Sequence, residues 1–174
     1  SYADTTVASH TPYWYTVKAY DYAGNISNPS DGDGAVSYAE ATSYRIAYPN
    51  SGSNNLCVTF QPAGWEGWQY KPDRLETQSC GSGSSAQWRF VTVSGDTVYI
   101  QSYSGTTRRW TAANNTSGTD IALNGTTNAA SQWELTAYWD GTTAHLEIRR
   151  ASIANMCLDV DGAATTAGAT VQQY

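Results

Sequence analysis

The sequence predicts an all-β protein, three copies of a four-stranded unit preceded by a two-stranded hairpin, and three observations carry that prediction. The aromatic content is lopsided, with 13 Tyr and 7 Trp against 2 Phe, set among Ser, Thr, Gly and Asn. That mixture suits half-buried strands, tight turns and aromatic surfaces rather than helix bundles. Short extended runs alternate with turn residues from residue 44 onward, and none holds a convincing helical apolar period. Finally, Gln87-Trp88-Arg89-Phe90 returns as Gln132-Trp133-Glu134-Leu135, 45 positions on, which is the mark of an internal repeat. A third copy begins near Ala144, where Leu146-Glu147-Ile148 matches Val98-Tyr99-Ile100 and Tyr44-Arg45-Ile46, and it is cut short.

Size and charge narrow the class further. The chain has 174 residues, 40% hydrophobic and 14% charged, enough for a packed core. It has no run of eighteen apolar residues, no basic apolar leader and no initial Met, so neither a membrane span nor a signal peptide is visible and the chain reads as a mature or internal piece. Net charge is -6, and the cations cluster no further than Arg108-Arg109 and Arg149-Arg150. Phosphate backbones would be poorly served, so neither nucleic acid nor membrane is expected as a partner, and a secreted, extracellular setting is.

In the first segment, Tyr13 to Asp21 alternates, with Tyr13, Tyr15, Val17 and Ala19 on one face and Thr16 and Lys18 on the other. Asp21-Tyr22-Ala23-Gly24-Asn25 supplies turn chemistry, and Ile26-Ser27-Asn28 restarts extended chain, so a hairpin is expected. The pattern Tyr-x-Tyr-x-Val-x-Ala-x-Asp-x-x-Gly-Asn-x-Ser-x-x-Ser, from Tyr13 to Ser30, resembles the last two strands of a bacterial fibronectin type III domain. Such a sandwich needs about 100 residues and a lone hairpin is marginal in water, so the resemblance implies further chain toward the N-terminus. The expected division is residues 1–34 for this partial sandwich, 35–43 for a linker and 44–174 for the repeats. Asp31-Gly32-Asp33-Gly34 reads as linker; as a calcium loop it lacks a third acidic ligand at loop spacing, and no metal site is assigned.

In the repeats, strands are expected at Tyr44–Tyr48, Leu56–Phe60, Leu75–Gln78, Trp88–Val93, Val98–Tyr103, Trp110–Ala113, Ile121–Leu123, Trp133–Trp139, Leu146–Arg150, Cys157–Val160 and Ala169–Tyr174. Met156-Cys157-Leu158-Asp159-Val160-Asp161-Gly162, then Gly168-Ala169-Thr170-Val171-Gln172-Gln173-Tyr174, resembles the ricin-type β-trefoil lectin repeat: Cys-Leu-Asp-Val, a Gly-rich turn, then Val-Gln-x-aromatic. The family's Gln-x-Trp is represented by Trp88 and Trp133, with Ala86 and Ser131 in the Gln slot; Gln87 and Gln132 sit one place later and should face the other way. The resemblance implies a three-repeat β-trefoil with a truncated third repeat. The isolated segment is therefore expected to be aggregation-prone or molten.

The same resemblance pairs the Cys that opens a repeat with one after its Val-Gln-x-aromatic strand. Cys57 and Cys80 occupy those places, and their bridge would contribute about 3 kcal/mol. For Cys157 the mate is expected about two residues past Tyr174; a reactive thiol is the other reading, though nothing basic nearby would lower its pKa. In the middle repeat Trp110 is aligned with the cysteine, its bulk filling the same space.

Sugar binding needs an aromatic plane for the C–H face of a pyranose and a carboxylate or amide for its vicinal hydroxyls. By the resemblance, Asp159 is the hydroxyl-binding acid and Tyr174 the platform. Alternatively, Asp159 supports the turn at Asp161-Gly162 and Tyr174 only packs. The corresponding places are Thr59 and Gln78 in the first repeat and Ala112 and Asn124 in the second, so both are expected to be vestigial. The first repeat instead has an enlarged loop, Gly64-Trp65-Glu66-Gly67-Trp68-Gln69-Tyr70, where Trp65, Trp68 and Tyr70 either stack on a glycan or cap the barrel or the neighbouring domain.

No catalytic residues are assigned. A glycosidase needs two carboxylates about 5 to 10 Å apart across a cleft; Glu66, Asp73 and Glu76 lie along one loop, and His10 and His145 lack both a nucleophile elbow and metal spacing. No cofactor is implied. The function expected is binding of a polysaccharide or glycan by an accessory module of a secreted, glycan-active bacterial protein. A structural or adhesive segment that self-associates is the second reading, and a glycoside hydrolase the third.

Overall fold

The computed structural model describes residues 4–8, 11–36, 38, 42–48, 55–81, 83–104, 107–142 and 144–174; His10 lies outside them. Among these residues the chain forms β1 (Pro12–Tyr15), β2 (Asp33–Val36), β3 (Ala47–Tyr48), β4 (Leu56–Gln61), β5 (Gly64–Glu66), β6 (Gln69–Lys71), β7 (Arg74–Ser79), β8 (Trp88–Ser94), β9 (Thr97–Ser102), β10 (Arg109–Ala112), β11 (Thr119–Asn124), β12 (Gln132–Trp139), β13 (Ala144–Arg150), β14 (Leu158–Val160) and β15 (Val171–Gln173), with three single-turn 3-10 segments. The protein is all-β. Two compact units are distinguished: Ser1–Ala39 with Leu135–Glu147, and Glu40–Glu134 with Ile148–Tyr174.

In the first unit β1 pairs antiparallel with β2, Tyr15 opposite Asp33 and Trp14 opposite Gly34. The ladder continues without regular strand: Ser27 and Ser30 each take a backbone donor on their hydroxyl, from Ala19 and Val17, and Tyr20 bridges Ile26. The hairpin closes at Asp21–Asn25, as its turn chemistry implies: the Asp21 carboxylate accepts from the Ala23 and Asn25 amides, and Gly24 has φ +84°, a conformation open to glycine at little cost. The expectation of a linker at Asp31–Gly34 is corrected, because Asp33 and Gly34 are strand residues. Their neighbouring glycines serve close approach: a Cβ on Gly32 would overlap the Trp14 indole, and one on Gly34 would meet Ala137 at 2.6 Å.

The second unit holds the repeats. β4 pairs with β3 and β7, β9 with β8, β10 and β12, and β15 with β11 and β14. Registers set the repeats in correspondence. Cys57 lies opposite Gln78 and Thr59 opposite Glu76; Arg109 lies opposite Asn124 and Thr111 opposite Ala122; Asp159 lies opposite Gln172, while Cys157 and Tyr174 exchange both backbone hydrogen bonds. On their other side Cys57, Arg109 and Cys157 face Ala47, Gln101 and Arg149. Arg109, not Trp110, is therefore the counterpart of the repeat-opening cysteines, and Thr111, not Ala112, the counterpart of Asp159. The sequence alignment of the middle repeat was displaced by one residue, because a Trp resembles a buried half-cystine in hydropathy while an Arg does not.

Cys57 and Cys80 are disulfide-bonded, as the resemblance implied. Where the bridge would fall in the middle repeat, Arg109 takes its place: its guanidinium lies over the Tyr99 ring, 4.7 Å from the centroid, and donates long hydrogen bonds to the carbonyls of Gly125 and Thr126.

Trp110 instead points into the core with Trp88 and Trp133, all three fully buried. Their rings meet edge to face, Trp88 to Trp110 at 4.9 Å and Trp110 to Trp133 at 6.4 Å, an arrangement the ring quadrupoles favour. Leu75, Val98, Ile100, Ile121 and Val171 fill the remaining core. Ala86 and Ser131 end short 3-10 turns immediately before Gln87-Trp88 and Gln132-Trp133, and both are buried.

Candidate functional site

Directly opposed residues of an antiparallel pair share a face, as do residues two apart along one strand. Cys157, Asp159, Gln172 and Tyr174 therefore lie on one face of the β14–β15 hairpin, away from the core side that carries Val160 and Val171. Asp159 is half-buried, and its Oδ2 accepts a hydrogen bond from Gln172 Nε2 at 3.2 Å. Tyr174 is 68% exposed. The two residues the resemblance picked out are thus on one face, with Gln172, a motif residue to which the sequence assigns no role, between them and bonded to the acid.

A third strand extends the row. Asp120 of β11 also lies opposite Gln172, so Asp120, Gln172 and Asp159 stand in line across three strands. Asp120 is exposed, yet partial desolvation of its carboxylate, and then the nearby charge of Asp161, raises its pKa above the ordinary value, with Arg74 acting in the opposite direction. Nothing in the sequence marks Asp120, because the register that brings it beside Gln172 joins residues from different repeats.

The hairpin is fastened from behind by Gln173, which is fully buried. Its Oε1 accepts from Arg150 Nη1 at 2.7 Å, and its Nε2 donates to the carbonyls of Asn114 and Thr116 at 3.0 and 2.8 Å. Thr77, its counterpart in the first repeat, uses its hydroxyl on the Thr166 carbonyl in the same manner, 3.0 Å. Each side chain holds the turn of another repeat, so the face is set by contacts between repeats as well as by its own hairpin.

The corresponding places in the other repeats are built differently. Thr59 and Thr111 turn their hydroxyls onto the carbonyls two residues back, Cys57 and Arg109, and Thr111 also donates to Asn124 Oδ1 at 2.9 Å. Glu76, the counterpart of Gln172, is buried and ion-paired to Arg74. Neither place offers a carboxylate beside an exposed ring.

The enlarged first-repeat loop is a regular hairpin. β5 and β6 pair Trp65 with Tyr70 and Glu66 with Gln69 across a turn at Gly67, φ +62°. Trp65, Trp68 and Tyr70 are 73%, 100% and 56% exposed, so capping of the barrel, one of the two sequence readings, does not describe them. Trp65 and Tyr70 meet edge to face at 5.7 Å. Glu66 lies on the opposite face, paired with Lys71 at 2.8 Å and with Arg74; hydrogen bonds from Lys71 and then Arg74 hold its carboxyl below the usual carboxylate range. Arg74 is buried, which works against its charge, but its bonds to Glu76 and Glu66 prevail and leave its pKa raised.

No family model matches the chain, and no curated protein matches it. Solved structures do. A designed 3-fold symmetric protein, ThreeFoil, superposes with a TM-score of 0.61 at 20% identity, covering 76% of this chain and 88% of that one. The Rhizoctonia solani agglutinin superposes with a TM-score of 0.58 at 17% identity, covering 80% of this chain and 89% of the agglutinin. With the three corresponding repeats, these likenesses define the fold as a β-trefoil.

Proposed function

We propose that the protein binds carbohydrate, and that the β14–β15 face is its site. The observation that carries this reading is the bond from Gln172 to Asp159 beside an exposed Tyr174. It sets a charged oxygen and an open ring on one face, with the buried Gln172 amide holding the acid in place, and acid and ring are what a pyranose needs for its hydroxyls and its C–H surface. Asp159, oriented by Gln172, accepts from vicinal hydroxyls and Tyr174 stacks. That a trefoil of similar shape is an agglutinin supports the reading.

The finer reading is a ricin-type carbohydrate-binding module of a secreted bacterial protein, with residues 1–34, whose pairing β2 carries on to Val36, as the closing strands of a fibronectin type III-like domain and 44–174 as the trefoil. It is a binding module and not an enzyme. The Cys57–Cys80 disulfide suits an oxidising, extracellular compartment, and among the described residues no helix is long and apolar enough to cross a membrane.

Calorimetry against galactosides, xylans and other glycans tests the site. Asp159→Ala should weaken binding roughly tenfold or more, as expected for loss of a hydrogen bond to a charged acceptor at about 1.5–3 kcal/mol. Tyr174→Ala should also weaken it, while Thr59→Ala and Thr111→Ala should not. Unchanged affinity in Asp159→Ala would remove this face as the site.

A further inference from the structure

The β5–β6 hairpin fastens its charged face to the barrel and leaves its rings in solvent. Cross-strand pairing puts Trp65 and Tyr70 together on one face and Glu66 with Gln69 on the other. The charged face is the fastened one: Glu66 is held by Lys71 and by the buried guanidinium of Arg74, which is itself tied to Glu76. Glu66 keeps 51% of its side chain exposed and Gln69 is exposed as well, so both faces reach solvent, but the aromatic face and the Trp68 tip do so with nothing packed on them. Left to the hydrophobic effect alone, a hairpin would bury its rings and expose its charges. Here an ion-pair network rooted in the barrel holds the rings outward, and a fixed, solvent-facing aromatic surface is the form a binding surface takes.

The chemistry of the surface chooses the occupant. Its rings carry no charge, and the cation of the hairpin, Lys71, is already engaged by Glu66. The chain as a whole is acidic, at -6, so phosphates and acidic lipid headgroups find no counter-charge there. A neutral, hydroxyl-rich partner with apolar C–H faces fits it. The root of the hairpin also borders the proposed sugar-binding row: β7, which carries Arg74, lies against β11 and β15, and the charge of Arg74 reaches Asp120 in that row.

We propose that Trp65, Trp68 and Tyr70 form a second carbohydrate contact, which engages units of a neutral polysaccharide beyond the one held at Asp159. This rests on the carbohydrate-binding reading and makes it specific: the ligand is a chain of several sugars, not a terminal monosaccharide.

The test is titration of the full chain with neutral gluco-, xylo-, galacto- and N-acetylglucosamine oligomers of one to six units, comparing parent, Trp65→Ala/Tyr70→Ala and Asp159→Ala. Because the rings are exposed, the double variant should melt with the parent. It should lose tenfold or more in affinity for chains of four to six units and less than twofold for mono- and disaccharides, whereas Asp159→Ala should lose affinity at every length. Six-unit chains binding the double variant as they bind the parent would overturn the hairpin contact and leave the Asp159 site standing. Loss confined to the double variant, with Asp159→Ala unaffected, would uphold the hairpin and overturn the Asp159 site. Failure of the parent to bind any oligomer would overturn both. Ring-dependent sedimentation with phosphatidylcholine or phosphatidylglycerol vesicles, without ring-dependent sugar binding, would overturn the hairpin proposal in favour of a bilayer surface.

Discussion

The indole N–H of Trp133 donates to the main-chain carbonyl of Trp110 at 3.0 Å. Trp88 makes the corresponding bond to Val58 at 2.9 Å, so Val58 and Trp110 are repeat counterparts, and one interaction both stitches and registers adjacent strands of the core. Trp110 itself is different, since its own indole nitrogen is buried without a hydrogen-bond partner among the described residues.

That difference orders three substitutions. Trp88→Phe and Trp133→Phe each lose a hydrogen bond and some packing, and should cost about 1–3 kcal/mol for the bond alone. Trp110→Phe removes a donor that is already unsatisfied, so its cost should be packing only and the smallest of the three. Urea denaturation compares them, and equal losses at all three positions would contradict the assignment.

How far the sequence carried this structure depended on the range of the interaction involved. Periods of two and of 45 residues located the strands from Leu56 to Gln173, and the turn at Asp21–Asn25 followed from the local bonding capacity of Asp, Gly and Asn. The disulfide was legible through the resemblance, as was the placement of Asp159 and Tyr174 on one face of a hairpin. The middle repeat was misaligned because Arg109 replaces a covalent bridge with stacking and carbonyl contacts, which leave no shared residue type to align. The alignment of Asp120 with Gln172 and Asp159 was illegible for a different reason: it comes from register between strands of different repeats. The orientation of the β5–β6 hairpin was likewise illegible, since it depends on Arg74, which looks like an ordinary surface cation until its burial is known.

Arg150 and Gln173 should be strongly coupled. Arg150 is buried, which lowers its pKa, and Gln173 Oε1 is its side-chain partner. Gln173→Leu, which installs the residue found at the corresponding Leu123, removes that charge's side-chain acceptor and leaves the Asn114 and Thr116 carbonyls without their donor, and should cost about 1.5–3 kcal/mol. Arg150→Met/Gln173→Leu should cost less than the sum of the two single changes, a deviation that a double-mutant cycle of denaturation free energies measures directly.

If Arg109 and Thr126 correspond to Cys57 and Cys80, then Arg109→Cys/Thr126→Cys should form a bridge on oxidation. Peptide mapping under non-reducing conditions reads this outcome, with Trp110→Cys/Thr126→Cys as the control that the displaced alignment would favour. Only the first pair should link. In the natural bridge, Cys57→Ala/Cys80→Ala should cost about 3 kcal/mol by freeing a loop with a separation of 23 residues.

Asp120 supplies a pH dependence of defined sign. Its pKa lies above the ordinary 3.8, through partial desolvation first and then repulsion from Asp161, and because the residue is exposed the effect is small. The folded state therefore binds this proton more tightly than the unfolded chain. The stability gained from protonation is fully present below 3.8 and is lost as pH rises through the folded value, so at neutral pH the ionised carboxylate is a burden on the fold. Asp120→Asn should accordingly raise the thermal midpoint at pH 7, and its advantage over the parent should shrink as pH is lowered and close near or below pH 3.8. Asp161→Asn removes the repulsion but not the partial desolvation and should recover part of the same gain. A gain in Asp120→Asn that stayed constant from pH 3 to pH 8 would show that it comes from packing rather than from charge. Because Asp120 stands beside Gln172 in the proposed binding row, Asp120→Asn also separates stability from recognition: an Asn at that place keeps hydrogen-bonding capacity toward hydroxyls, so sugar affinity at pH 7 should fall far less than in Asp159→Ala while the midpoint rises.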